Sequence, residues 1–285
     1  MKLPISLVVI ACNEEDRIGR CLDSASFCDD RLVVVDDRSR DATEATAAAR
    51  GARVVVHPYR GNIEQKRFAV GLARHRWVLS LDADEALSEQ AAEEIAAQFR
   101  GGEPAVAGFE LDRLTWHLGR WIRHGDFHPD WQLRLFRRDH ARLEGVNPHG
   151  RVVCDGPVVR LRGPLYHWSY RDLADQVQRI QDFSSIQARE LAARGQRAGW
   201  RQLLLHPPLR FLRAYLLRAG FRDGVPGLVI AVATAFHVFL KYAKLWEIER
   251  AGTASAPSPA PLAAGEGRGS PPAEARAPAA PRPPR

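Results

Sequence analysis

The chain has 285 residues, 45% hydrophobic and 26% charged, with a formal net charge of +7 and a pI near 9.6. That length carries one large domain, or one domain with an appendage, and the composition excludes a chain that is disordered throughout. The basic excess suits anionic partners such as nucleotides, nucleic acid or acidic lipid, without choosing among them.

The first apolar run, at 5–12, is short and stops at Asn13-Glu14-Glu15 with no small-residue cleavage site. It reads as a buried strand and argues against a signal peptide. β-Branched runs recur at 32–36, 53–56, 77–81 and 106–111, and helical patterns fall between them at 14–25, 42–50, 64–73 and 89–99. Apolar strands alternating with helices predict an α/β fold, a mostly parallel sheet with helices on both faces. Ligands of such sheets bind beyond the carboxyl ends of the strands. Three acidic clusters fall there: Asn13-Glu14-Glu15, Asp36-Asp37 and Asp82-Ala83-Asp84-Glu85.

Residues 115–168, rich in Trp, His and Arg, predict short strands and long loops, and 171–194 a polar helix. Residues 202–246 read as apolar helices studded with arginine. No acid occurs between Glu190 and Asp223, whereas Arg194, Arg197, Arg201, Arg210, Arg213, Arg218 and Arg222 all do. From about Ala251 the chain is Ala, Pro and Gly with scattered charge, a composition that buries no core and predicts disorder. The four cysteines, Cys12, Cys21, Cys28 and Cys154, form no CxxC pair. They read as reduced cytosolic thiols, and a zinc site is not expected.

Asp82-Ala83-Asp84 follows a buried strand. Two carboxylates leaving a sheet edge together repel unless a cation lies between them, and Mg²⁺ or Mn²⁺ takes one or two carboxylates together with substrate phosphates. Such an ion stabilises the charge that grows on a departing diphosphate. The alternative is a solvated turn, or a cap for the helix near Ser88. Asp36 and Asp37 can accept hydrogen bonds from a base or ribose, or cap the next helix. The Asn13-Glu14-Glu15 turn belongs beside them and adds Asn13 and Glu14 to the same pocket. Neither G-x-G-x-x-G nor a P-loop signature occurs, which argues against a dinucleotide oxidoreductase and a P-loop kinase or ATPase.

The segments SLVVIACNEE at 6–15, VVVDDRSRDAT at 33–43 and LDADE at 81–85 resemble glycosyltransferase family 2, with its GT-A type Rossmann-like fold. Gln65-Lys66, PDWQLRLFRR at 129–138 and HWSY at 167–170 resemble the branch that builds the lipopolysaccharide core with β-glucosyl transfer. The resemblance covers about residues 4–247. It implies a catalytic domain over 1–170, with a nucleotide-sugar half at 1–114 and an acceptor half at 115–170. A helical, membrane-associating region follows at 171–250, and the tail at 251–285.

The family implies a nucleotide pocket at Glu14, Asp36 and Asp37, and metal and diphosphate binding at Asp82 and Asp84. Lys66 resembles a pocket residue that touches base or phosphate; otherwise it is a solvated helix lysine. Inverting transfer needs a general base, which relatives supply from beyond the metal motif. The candidates here are Asp126, Asp130 and Glu144, and Asp130 is preferred because it precedes Gln132-Leu133-Arg134 in a His/Trp-rich stretch. Relatives often carry His-Glu before Arg-Val; here Gly150 stands in the glutamate's place, after His149. His149, Arg134, Arg137 and Arg138 are candidate contacts for diphosphate or an anionic acceptor. His167 is either a third metal ligand or a hydrogen-bonded histidine at a strand end.

The expected activity is inverting transfer of a hexose, with UDP-glucose the implied donor, to a glycolipid or lipopolysaccharide-core acceptor. The apolar stretch at 225–240 is short for a membrane span, which needs roughly 20 residues. Arginine-bearing amphipathic helices predict peripheral binding to an anionic membrane surface, here the inner face of the cytoplasmic membrane. Two other readings compete. A metal-dependent sugar nucleotidyltransferase would want a glycine-rich, basic first turn, which 11–14 lacks. A non-catalytic basic module would bind lipid rather than nucleic acid, because the cations concentrate in the apolar C-terminal half.

Overall fold

The computed structural model describes residues 2–146 and 149–251; the expected tail lies outside the described residues. Strands and helices alternate through the first half: β1 (Leu3–Ala11), α1 (Ile18–Ser24), β2 (Cys28–Asp36), α2 (Thr43–Ala49), β3 (Arg53–His57), α3 (Asn62–Gly71), β4 (Trp77–Asp82), β5 (Glu85–Leu87) and α4 (Glu89–Gln98). Then come β6 (Gly108–His117), β7 (Arg120–Trp121), β8 (Trp131–Arg137), β9 (Ala141–Val146), β10 (His149–Cys154), β11 (Val158–Arg160) and β12 (Leu165–His167). The chain closes with α5 (Leu173–Ala193), α6 (Trp200–Leu204), α7 (His206–Leu212) and α8 (Gly224–Ala251).

The main sheet has the order β3-β2-β1-β4-β8-β6-β12-β5 among the described residues. It is parallel from β3 through β4, while β8 is antiparallel to both β4 and β6. Successive residues of β1 serve opposite faces. Leu3, Ile5, Leu7, Val9 and Ala11 join Ile18, Leu22, Ala47 and Ile95 on one side. Val8 and Ile10 join Phe68, Ala69 and Val70 of α3 on the other. A strand covered on both faces must be apolar throughout, which is why the first run reads as continuous rather than alternating.

Strand order reverses at β1, which has β2 on one side and β4 on the other. The crevice of an open α/β sheet opens at such a reversal. Asp82 stands level with Ile10 in the register, and Val35, the residue before Asp36, stands level with Ala11. Asp36 and Asp82 therefore flank the end of β1, about 10 Å apart across two strand spacings.

The C-terminal stretch expected to be short for a span extends to a continuous helix of 28 residues, α8. By length and composition it is apolar enough to cross a membrane, and 22% of its most apolar window is buried. Its other side is anchored: Lys244 donates to the Gln181 carbonyl and to Ser184 and Ser185 of α5, and His237 lies 3.1 Å from Gln187. Two buried aspartates join this region to the first half. Asp223 accepts from the Arg123 and His124 N–H groups at 3.0 and 2.7 Å. Asp126, with a side chain 3% exposed, faces Arg210 at 2.9 Å and Arg218 at 3.7 Å.

Candidate active site

A cleft of about 690 Å³ opens at the carboxyl ends of β1, β2 and β4, lined among others by Glu14, Asp36, Lys66, Asp82, Asp84, Arg113, Arg134, Arg151 and His167. Asp82 is the last residue of β4, and Asp84 sits in the turn to β5. Lys66 of α3 pairs with one Asp82 oxygen at 2.5 Å, and Arg134 of β8 donates to the other at 2.7 Å. Arg134 also donates to Glu85, which accepts from the Asp82 N–H and from Arg113. Arg113 in turn holds Asp130 at 2.7 Å. Cations and anions alternate along this string, Lys66–Asp82–Arg134–Glu85–Arg113–Asp130, from the α3 side of the cleft to the start of β8. Burial works to raise the Asp82 carboxyl, but Lys66 and Arg134 outweigh it and hold it far below the usual carboxylate range. Burial likewise opposes the Arg134 charge, and Glu85 and Asp82 hold it in place.

Asp84 carries the less saturated carboxylate. His167 Nε2 lies 3.5 Å from it and Arg17 3.9 Å. The Nδ1 of the same imidazole is 3.3 Å from Thr115 Oγ1, which aims Nε2 at Asp84. Burial pushes the Asp84 carboxyl up, and His167 draws it net below its ordinary value. Next to it, burial and then the Asp84 charge push the Glu14 carboxyl up to about 7, against the pull of Arg17 and Arg171. One oxygen of Glu14, Oε2, is buried without a hydrogen-bond partner.

Among the described residues no group of three or more Asp, Glu, His or Cys side chains forms a cage able to hold a metal alone. The donor set nevertheless fits a hard cation that draws most of its ligands from phosphate and water. Asp84 offers carboxylate oxygen at the cleft, with Glu14 Oε2, which accepts no hydrogen bond and has only the longer ion pairs to Arg17 and Arg171, close by, and both Asp82 oxygens are already held by Lys66 and Arg134.

On the β2 side, Asp36 is buried and accepts a forked pair from Arg38. Asn13 takes φ +56° at the end of β1, a conformation in which asparagine is well tolerated. Its N–H donates to Ser39, and its side chain accepts from the Arg40 N–H. Asn13 thus ties the turn after β1 to the loop after β2, while Glu14 faces the cleft.

Other candidates are not brought in. Asp37 is exposed and does not line the cleft. Asp126 lies beneath α7 with Arg210 and Arg218, because docking of the helices takes its carboxylate. Arg137 pairs in register with Trp77, at the start of β4, so it sits at the opposite sheet edge from Asp82 and meets Asp139 there. Asp130 stands one ion pair behind the wall, held by Arg113 and by Gln132 at 2.6 Å. The His149 side chain lies outside the described residues. A Cβ on Gly150 would come within 2.6 Å of Ile63 Cγ1, so glycine lets the β9–β10 hairpin close against α3. Glu85, Arg113, Arg151 and Arg17 join these charges without a sequence motif that assigns them a role. The one local signal was Glu85, the third acid of its cluster.

The family model for glycosyl transferase family 2 matches residues 6–158. The chain belongs to glycosyltransferase family 2. The matched segment runs from β1 into β11 and leaves α5 to α8 outside it. This glycosyltransferase is 29% identical over 253 residues to the lipopolysaccharide core biosynthesis glycosyltransferase LpsC of Rhizobium meliloti, covering 86% of this chain and 93% of that one. It is 31% identical to an uncharacterized glycosyltransferase of Rickettsia typhi, covering 86% and 87%. A solved glucosyl-3-phosphoglycerate synthase of Mycobacterium tuberculosis, in complex with Mn²⁺ and UDP-glucose, is 26% identical over 39% of this chain and 43% of that one, with a TM-score of 0.31.

Proposed function

We propose that this glycosyltransferase moves a hexose from UDP-glucose, with inversion, to a glycolipid or lipopolysaccharide-core acceptor at the cytoplasmic face of a membrane. The observation that carries the reading is the pair Asp82 and Asp84 at the end of β4, in one cleft with Asp36, Lys66, Arg134 and His167. The similarity to LpsC supports the acceptor class. In the reaction the acceptor oxygen bonds to the anomeric carbon from the face opposite the diphosphate, and the bond to the diphosphate oxygen breaks. Asp84, with Asp82 beside it, would hold a Mg²⁺ or Mn²⁺ ion, which would supply Lewis-acid neutralisation of the leaving diphosphate. Lys66 and Arg134 add positive charge already fixed in position, so little reorganisation is needed as charge develops. Asp36 is the acceptor for ribose or base hydrogen bonds, and Glu14 closes the same end of the pocket. The proton of the acceptor hydroxyl goes, through one water, to a carboxylate behind the cleft wall at the start of β8; Asp130, oriented by Arg113 and Gln132, is the residue assigned to it.

The exposed apolar residues of α6 to α8, among them Leu204, Leu209, Leu217, Phe221 and Val225, support a peripheral seat on the membrane. The arginines on these helices suit an anionic leaflet.

Transfer assays with UDP-glucose and Mg²⁺ or Mn²⁺ test the reading. Asp84→Ala is expected to lower kcat/KM roughly 100- to 1,000-fold, and Asp130→Asn to lower kcat roughly 100- to 10,000-fold. A rate equal to wild type in Asp84→Ala removes Asp84 from the mechanism, and the same result in Asp130→Asn assigns the base elsewhere.

A further inference from the structure

A second cavity, of about 370 Å³, lies between α5, α7 and α8 and is closed on the catalytic side by Phe127 and Tyr170. Two cations face it. Arg210 reaches it from α7 and Lys241 from α8. Arg210 is paired with Asp126, which also serves Arg218, so one buried carboxylate answers two guanidinium groups. No carboxylate among the described residues ion-pairs with Lys241; its ammonium lies over the Tyr242 ring at 4.5 Å. Burial, and then Arg210, lower the Lys241 pKa. With Asp126 counted, the surroundings retain an excess of positive charge in a partly desolvated space. An anion entering there gains more than it would at an open surface, because the local dielectric is lower. Thr234, His237 and Tyr170 add polar groups to the same walls.

The neighbouring side of α8 has the opposite character. A groove of about 400 Å³ is lined by Phe211 and Pro207 of α7 and by Val232, Phe236 and Phe239 of α8. Arg210 is followed directly by Phe211, and Thr234 and His237 alternate with Val232 and Phe236 along one helix. The anion-seeking cavity and the apolar groove therefore share both α7 and α8 as walls. They open among side chains that are exposed and apolar, such as Leu209 and Leu212. Cationic cavity and apolar groove, side by side, match the two ends of one amphiphile.

We propose that this helical region carries a binding site for a membrane phospholipid with an anionic head, the phosphate between Arg210 and Lys241 and an acyl chain along the Phe236 groove. The site deepens the proposed membrane-facing role. It fixes the enzyme's orientation on the bilayer through one ordered lipid rather than through diffuse charge alone.

The test reads binding without sugar transfer, so it stands or falls separately from the catalytic assignment. The full chain is mixed with phosphatidylcholine vesicles, with vesicles containing phosphatidylglycerol, or with inorganic phosphate, and acetylation of Lys241 is followed by mass spectrometry. Phosphatidylglycerol vesicles are expected to slow acetylation at Lys241 about ten-fold, the scale of a hydrogen bond to a charged group. Phosphatidylcholine vesicles and inorganic phosphate are expected to leave it unchanged. No protection by phosphatidylglycerol, or equal protection by phosphatidylcholine, overturns the site. Protection by inorganic phosphate as strong as by the vesicles overturns the lipid assignment in favour of a soluble anion. In vesicle flotation, Lys241→Met is expected to lose the preference for phosphatidylglycerol and Lys241→Arg to keep it. Removal of an exposed arginine elsewhere on these helices, Arg213→Gln, is expected to cost only about five-fold in partitioning. A Lys241→Met loss no larger than that of Arg213→Gln argues against an ordered site.

Discussion

Glu14 lines the cleft and Glu85 lies buried behind it, and their surroundings set them opposite tasks. Glu14 is pressed by burial and by Asp84, and its carboxyl rises from 4.5 to about 7. Between those values the folded protein keeps a proton that the unfolded chain has released. Stability therefore falls as pH rises through that window, and the full penalty stands above it. Glu14→Gln is expected to stabilise the fold at pH 8 by on the order of 1–2 kcal/mol, after discounting for solvent screening of a part-exposed group, and to change nothing at pH 4. Denaturant titrations at both pH values check this; an equal effect at both would mean that the carboxyl is not raised. Glu85 has no such freedom. It is buried and holds Arg113 and Arg134 together. Glu85→Gln leaves the buried Arg134 and the half-buried Arg113 short of their shared counter-charge and is expected to cost about 3–5 kcal/mol. A loss below about 1 kcal/mol in thermal or denaturant unfolding would mean that Asp82 and Asp130 take up both arginines unaided.

Close approach of backbones decides the packing between elements. Gly163, in the turn between β11 and β12, lies against the first turn of α4: an added Cβ would come 2.2 Å from the Ala91 nitrogen and 2.4 Å from its Cα. Ser88 caps the same turn by accepting from the Ala91 N–H. Neither partner can swing aside as a flexible side chain would, so the helix must move. Gly163→Ala is expected to cost about 1–3 kcal/mol and to lower Tm by several degrees. An unchanged Tm would show that α4 shifts without strain. The site feels such a displacement, because the strand that follows Gly163 carries His167 to Asp84. Asp126 belongs to this scale too. Between α7 and the first half it works as an anchor, and the two hydrogen bonds that the Arg123 and His124 N–H groups donate to Asp223 make the junction two-sided.

Across the whole molecule charge and apolarity are sorted by region. The acids crowd the carboxyl edge of the sheet, where Lys66, Arg113 and Arg134 neutralise Asp82, Glu85 and Asp130 one for one. In the C-terminal helical region Arg194, Arg197, Arg201, Arg213 and Arg222 stand with no acid between Glu190 and Asp223, near exposed leucines. This predicts a salt-sensitive association with anionic vesicles. The Debye length shrinks from about 10 Å at 0.1 M to about 3 Å at 1 M, so flotation with phosphatidylglycerol vesicles is expected to weaken steadily over that range. Apolar contacts alone would give partitioning that holds or strengthens with salt.

Local pattern along the chain specifies the alternation of apolar strands and helices, and with it the edge of the sheet at which Asp36, Asp82 and Asp84 gather. Each of these acids directly ends or follows a local apolar run, and a parallel sheet leaves such ends only one side on which to lie. Tertiary structure alone decided which cations meet them. Arg134 reaches Glu85 across 49 positions of chain, and Arg113 reaches it across 28, through an antiparallel strand whose register no local pattern records. The same holds for the sorting of Asp126 from Asp130 and of Arg134 from Arg137. Members of each pair sit in one stretch of similar composition, and only strand direction and the docking of α7 send Arg134 into the cleft wall, leave Asp130 one ion pair behind it, and carry Arg137 and Asp126 away.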